Sequence, residues 1–220
     1  MSASGSAREA IVRAAYDSFL DVGYARTTYQ RIADLSGFER TLVQYHAPKK
    51  DDLAQQFLAQ VLAAVQAAVV EHGLGRRDEP ISFRYALAQL YFASLGSAPL
   101  RRFTLDVLDS RAVLEHVLLD DVEWNLALVQ PQTGADRQRV VDDTVMGVGG
   151  AYELFRYRLR HDQEVAPADL ARRVLAASLR HELAGRPLVE ADLDVHTLDG
   201  ARLDRAVAAV IGALRGTAQD

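Results

Sequence analysis

The stretch from Thr27 to Lys50, TTYQRIADLSGFERTLVQYHAPKK, constrains this chain more than any other. Its apolar residues Tyr29, Ile32, Ala33 and Leu35 recur at helical spacing. Thr27 stands where an N-cap belongs, with Gln30 three residues on to complete a capping box. Gly37 then breaks the period and Phe38 fills the corner. Residues 39–45 form a second short helix, with Leu42 and Val43 inward and Arg40, Thr41, Gln44 and Tyr45 outward. Ala33 permits a close helix crossing, Gly37 makes the bend, and Val43 lies under the second helix. Together these spacings specify a helix-turn-helix, whose outward Arg, Thr, Gln and Tyr offer the donors, acceptors and methyl contacts that base edges require in a major groove.

Charge supports the same reading only after it is divided along the chain. The net charge is −5, yet residues 1–50 hold seven basic side chains against five acidic ones, which leaves +2 there and −7 on the remainder. A basic head on an acidic body suits a polyanionic partner at one end. The only two lysines, Lys49 and Lys50, stand side by side where a new helix begins. A helix N-terminus with a lysine is a phosphate clamp, while the plainer reading has both solvated beside Asp51 and Asp52.

These residues resemble the N-terminal domain of the TetR family of bacterial repressors. The resemblance rests on Gly23-Tyr24, Thr27-Thr28, Ile32-Ala33, Ser36-Gly37-Phe38, Tyr45-His46 and Lys50, and is specific over residues 8–55. Glu39, Gln44 and Ala47 fill slots that usually hold a hydroxyl residue, an aromatic, and an aromatic or aliphatic residue. Glu39 can accept a hydrogen bond from cytosine N4. The resemblance implies an all-α protein with a three-helix DNA-binding head (residues 1–50) and a helical ligand-binding and dimerisation body (residues 51–220). It also implies a homodimer on a double-stranded, palindromic DNA operator, a repressor released by an unidentified small-molecule inducer. The residues implied at DNA are Thr27, Thr28, Arg40, Thr41, Gln44, Tyr45, His46 and Lys50, with Thr28, His46 and Lys50 mostly on phosphates. The same architecture would also serve a dimeric helical protein that is controlled by a protein partner or has lost DNA binding.

The rest of the chain reads as helices. Residues 8–22 carry Ile11, Ala15, Phe19 and Val22 on one face, ended by Gly23. Residues 50–72 form a connector with Leu53, Phe57, Val61, Val65 and Val69 in a stripe and Asp51-Asp52 at its positive end, spanning more than about 30 Å. Helices follow over 83–96, 99–108 and 110–130, the last apolar on two sides and so central. A loop is expected at 131–136, then helices over 137–160, 167–185 and 201–215. Gly147, Gly149 and Gly150 interrupt the 137–160 helix, each costing about 1 kcal/mol relative to Ala, so close packing, a kink or a ligand against the backbone is expected there. No strand precedes them and their spacing is not that of a dinucleotide loop. The resemblance makes the 137–161 and 167–184 helices the expected dimer pair, joining the same pair of a second subunit in a four-helix bundle.

Composition closes off other classes. Hydrophobic residues make up 49% and charged residues 25% of 220, an ordered globular balance. Cysteine is absent, which excludes disulfides, thiolate metal sites and thiol sensing. The opening MSASGSAR has no apolar run, and no stretch approaches the roughly 18 apolar residues of a membrane span, so a cytoplasmic protein with no membrane partner is expected. The six histidines form no HExxH or triad pattern, and Glu115-His116 cannot chelate one ion from adjacent helix positions. No enzyme, metal or cofactor is expected. For the body the resemblance gathers Tyr91, Phe92, Phe103, Trp124, Tyr152 and Phe155 around an inner cavity, with Asn125 and Tyr152 as polar anchors, against the plain reading of aromatic core packing. Asp120, Asp121 and Glu123 read first as a solvated face; the other reading has one carboxylate meeting a cationic ligand whose rings stack on Trp124.

Overall fold

The computed structural model describes residues 3–76, 79–133, 136–178, 193 and 196–216. Among these the chain is all-α, in the order α1 (Ala3–Val22), α2 (Tyr29–Ser36), α3 (Arg40–His46), α4 (Lys50–Glu71), α5 (Pro80–Gly96), α6 (Arg101–Leu108), α7 (Arg111–Thr133), α8 (Arg137–Arg160), α9 (Pro167–Ser178) and α10 (Gly200–Leu214). Helix α1 begins ahead of the expected residue 8, because the small residues before Arg8 continue the helix instead of capping it. Helix α7 runs through Pro131 to Thr133, where a loop was expected. A proline in a last turn removes one ladder bond and stops the helix soon afterwards. Residues 179–185 of the expected 167–185 helix lie outside the described residues.

The expected capping box at Thr27 is corrected. Thr28 is the N-cap of α2, its Oγ1 accepting from Arg31 N at 3.1 Å, while Gln30 donates to Asp34. Thr27 is buried one position earlier, where its hydroxyl donates to Gly23 O at 2.7 Å and lies 2.8 Å from Ser18 Oγ. The hydroxyl pair Thr27-Thr28 thus divides the work: one ties the α1–α2 loop, the other caps the helix.

One apolar core runs from the head into the body. Phe19 of α1, Phe57 of α4 and Phe103 of α6 are all buried, with ring centroids 4.8 to 5.6 Å apart. Helix α6 reaches the head because Gly23 lets it: with φ +84, a Cβ there would stand 2.7 Å from Arg102 Cγ and Asp106 Oδ2. Asp106 accepts from Ala25 N at 2.8 Å. In the body α5 packs against α4 and α9, while α8 packs against α7 and α9. Buried Gln89 of α5 donates to His196 O at 3.2 Å and accepts from Leu198 N at 3.0 Å, pinning the irregular segment before α10. Helix α10 then lies along α4 and α5.

The expectation that no stretch is apolar enough for a membrane span needs correcting for α4, which passes by length and composition, with a mean hydropathy of 1.5 over its window. Its apolar positions are used inside the protein: Leu53, Phe57, Val61, Val65 and Val69 are buried in the shared core.

Candidate nucleic-acid interface and inner pocket

The turn between α2 and α3 is made by Gly37 at φ 75, whose N–H donates to Ala33 O at 2.9 Å. Left-handed backbone is cheap for glycine and costly for a residue with a Cβ. Ile32 and Val43 are fully buried beneath the corner, which fixes how α3 rotates about its axis. Arg40, Thr41 and Gln44 are consequently exposed, and Tyr45 is 78% exposed with its ring 5.2 Å from that of His46. The four side chains expected to meet base edges therefore share one open face. Thr28 is exposed as well, and its hydroxyl proton is not used by the cap. Thr27 does not belong on that face, because its side chain is buried and already bonded.

Lys50 is placed differently from the phosphate clamp expected of it. Its Nζ donates to Tyr24 O at 2.9 Å and Thr27 O at 3.1 Å and sits 4.1 Å from the centre of the Tyr24 ring. Burial pulls its pKa below the ordinary lysine range, opposed by the charges of Asp51 and Asp106. Tyr24 in turn donates to Asp51. The lysine staples the α1–α2 loop to the start of α4. Two of its three N–H donors are used inside the protein, and the exposed lysine is Lys49.

Behind α4 lies a cavity of about 330 Å³. Leu58 and Leu62 of α4, Leu87 and Phe92 of α5, Val117 of α7, Val148 of α8 and Leu175 of α9 make its apolar wall. Its polar groups are Gln55, Arg84, Tyr91, His116, Asp120, Asp121 and Tyr152. Tyr152 donates to Asp121 Oδ2 at a long 3.4 Å, and Tyr91 lines the cavity beside them. Burial pushes the Asp121 carboxyl up to about 7; the bond from Tyr152 opposes this and the charge of Asp120 adds to it. Burial also raises both tyrosines above the ordinary phenol range.

Tyr91, Phe92 and Tyr152 therefore converge, as the cavity reading required. Phe103 and Phe155 do not: Phe103 is buried in the junction with Phe19 and Phe57, and Phe155 is buried behind Phe92, both away from the cavity lining. The side chains of Trp124 and Asn125 lie outside the described residues. The acidic cluster splits, with Glu123 exposed and paired with Arg137 at 3.3 Å, Asp120 exposed beside His116, and Asp121 turned into the cavity. The solvated-face reading is thus corrected for Asp121, because neighbouring positions on a helix point about 100° apart and its own faces α8. Gln55, Arg84 and His116 were not expected in the site; each is an isolated polar residue whose convergence leaves no local pattern in the sequence.

On the outer side of α8, Val145, Met146 and Tyr157 are exposed, Met146 by 72%. Gly150 lies on the same side with nothing within 4 Å of an added Cβ, whereas one on Gly149 would touch Leu118 at 3.8 Å. Among the described residues no group of acidic and histidine side chains could hold a metal ion.

No protein-family model matches the chain, and no curated protein does. Among solved structures it is similar to two of NalD, the secondary repressor of the MexAB-OprM multidrug efflux pump in Pseudomonas aeruginosa. Identity is 20% in both, with TM-scores of 0.49 and 0.48, covering 82% and 83% of this chain and 98% of NalD. At that identity the likeness is one of fold.

Proposed function

We propose that this chain is a TetR-type transcriptional repressor, cytoplasmic and non-enzymatic, that binds a palindromic double-stranded DNA operator as a homodimer and is released by a small molecule in the inner pocket. The observation that carries this is the exposed row Arg40, Thr41, Gln44 and Tyr45 on a helix fixed by Gly37 and buried Val43. It gives a short helix a polar, hydrogen-bonding face with an apolar back, the arrangement that major-groove reading needs. Residues 1–50 would serve DNA and residues 51–220 ligand and dimer. The exposed apolar side of α8, with Gly150 open, supplies the surface a second copy would cover. Helix α4 joins the two functions, since its first residue staples the head and its Leu58 and Leu62 line the pocket. A ligand that tilts α4 would change the separation of two recognition helices, which must stay near 34–36 Å to enter successive grooves.

The test is selection of a binding site from random DNA by the full chain, followed by titration of the selected palindrome against scrambled sequence. Arg40→Ala and Gln44→Ala should each relax preference at particular bases by about 1–3 kcal/mol and spare binding to scrambled DNA. Gly150→Leu, whose Cβ would meet nothing within 4 Å in the protomer, should leave the fold intact and shift sedimentation to the monomer. Absence of any selected sequence would refute the DNA-binding reading.

A further inference from the structure

Resting on the inducer reading of the pocket, we propose that the ligand is a lipophilic monocation, an aromatic or alicyclic body bearing one protonated amine that is received by the Asp121 carboxylate.

The cavity is roomy and mostly apolar, which sets the body of the ligand. Its depth holds one carboxyl group poorly provided for. Among the described residues Asp121 receives a single hydrogen bond, the 3.4 Å one from Tyr152, and no ion pair. A carboxyl so placed is held back from ionising, in keeping with its rise to about 7. A cationic N–H donor supplies both things it lacks, a short charge-assisted bond and a compensating charge. The rings of Tyr91 and Tyr152 flank the position, and Phe92 lies 6.1 Å from each of them, so the cation would also meet aromatic faces.

The groups around Asp121 decide between a cation and an anion. Asp120 adds a second negative charge on the same helix. Tyr91 from α5 and Tyr152 from α8 are held neutral by burial. His116 lies 3.9 Å from Asp120 at the exposed rim. Arg84 lines the cavity from α5 and is the group an anion would seek; it already has a partner, although its buried Nε makes no hydrogen bond. Among the described residues an anionic ligand would meet two carboxylates against a single guanidinium that already has a partner.

The test uses three probes of one ring system on the full chain: 1-naphthylmethylamine, 1-naphthylmethanol and 1-naphthoate, followed by calorimetry at pH 7. The amine should bind about tenfold more tightly than the alcohol, and the carboxylate more weakly than either. The isosteric Asp121→Asn should remove the amine's advantage over the alcohol. Independently of any variant, amine binding to the unmodified protein should release protons to the buffer, because Asp121 gives up its proton as the ammonium approaches. Titrations in buffers of different ionisation enthalpy measure this, and the alcohol should release none. Tightest binding by 1-naphthoate would overturn the proposal in favour of an Arg84 anion site. Equal binding by all three, binding by none, or an amine that releases no protons would overturn it too. DNA affinity is read separately on the selected palindrome. An amine that binds through Asp121 but leaves DNA affinity unchanged would refute the inducer role and leave the ligand class standing.

Discussion

Between Gly23 and Lys50 the polar side chains that leave the surface find partners within the head itself. Thr27 bonds Ser18 and Gly23, Thr28 caps its own helix, and Lys50 closes on Tyr24 and Thr27. The inner pocket is put together the other way. Gln55, Tyr91, Asp121 and Tyr152 arrive from four helices, and among the described residues Asp121 is left with one long hydrogen bond. A satisfied turn holds one shape; an under-satisfied carboxyl in an apolar cavity is stable only in the wrong charge state for a carboxylate. The contrast teaches where rigidity and where responsiveness are kept in this fold: the head is finished on its own, and the pocket is finished by something else.

The contrast would break most visibly at the aromatic junction, which belongs to neither region. Phe103→Ala removes a fully buried ring that meets both Phe19 and Phe57 and should cost about 3–5 kcal/mol in denaturant unfolding. Because the core is continuous there, head and body should be destabilised in one transition. A body that unfolds at the wild-type midpoint while the head is lost would show two independent units.

What was legible in the sequence follows the same divide. The helix-turn-helix could be read because its signals are local: a breaking glycine, a cap, and apolar residues three and four apart. Even there the order of Thr27 and Thr28 was misread by one position, since both can cap and only the packing of Ser18 decides which is buried. Lys50 was read from its place at a helix start, and the carbonyls it seeks lie 23 and 26 residues away. In the body, helix existence was plain and convergence was not. Phe103 and Phe92 look alike in sequence, yet one faces the junction and the other the pocket. Asp121 differs from Asp120 and Glu123 only in the direction it leaves α7, which no periodicity of charged residues announces.

The pocket's half of the contrast can be sharpened by pH. The folded pKa of Asp121, about 7, lies above the ~3.9 of an exposed aspartate, so ionising it in the fold costs more than in the unfolded chain. That destabilisation is absent below about pH 4, grows from there to about 7, and is complete above it. The gap between about 7 and ~3.9 is worth at most about 4 kcal/mol, and partial access to water brings the expected effect to about 2 kcal/mol. Asp121→Asn should therefore be more stable than wild type at pH 8 by about 2 kcal/mol and equal to it near pH 4, by denaturation at both. A difference independent of pH would mean that the carboxylate is solvated and that the pocket is as well satisfied as the head.

The smallest expected effect tests the head's half, through the two lysines. If Lys50 is internal to the head, its replacement and that of Lys49 should have opposite signatures. Lys50→Ala removes two hydrogen bonds to loop carbonyls and the stacking on Tyr24, so it should lower stability by about 1–2 kcal/mol. It would weaken DNA binding by loosening the turn, with little change in the dependence on salt. Lys49 is exposed and its ammonium is free to meet a phosphate, so Lys49→Ala should leave stability unchanged. It should reduce the slope of log K against log salt by about 0.9 for each half-site, the release of one counterion. The two measurements together, unfolding midpoints and binding at several salt concentrations, separate a residue that builds the interface from one that touches the polyanion. The reverse assignment, a full slope change at Lys50 with no loss of stability, would mean that its two bonds to Tyr24 and Thr27 are given up on DNA. The head would then share the pocket's character and be completed only by its partner.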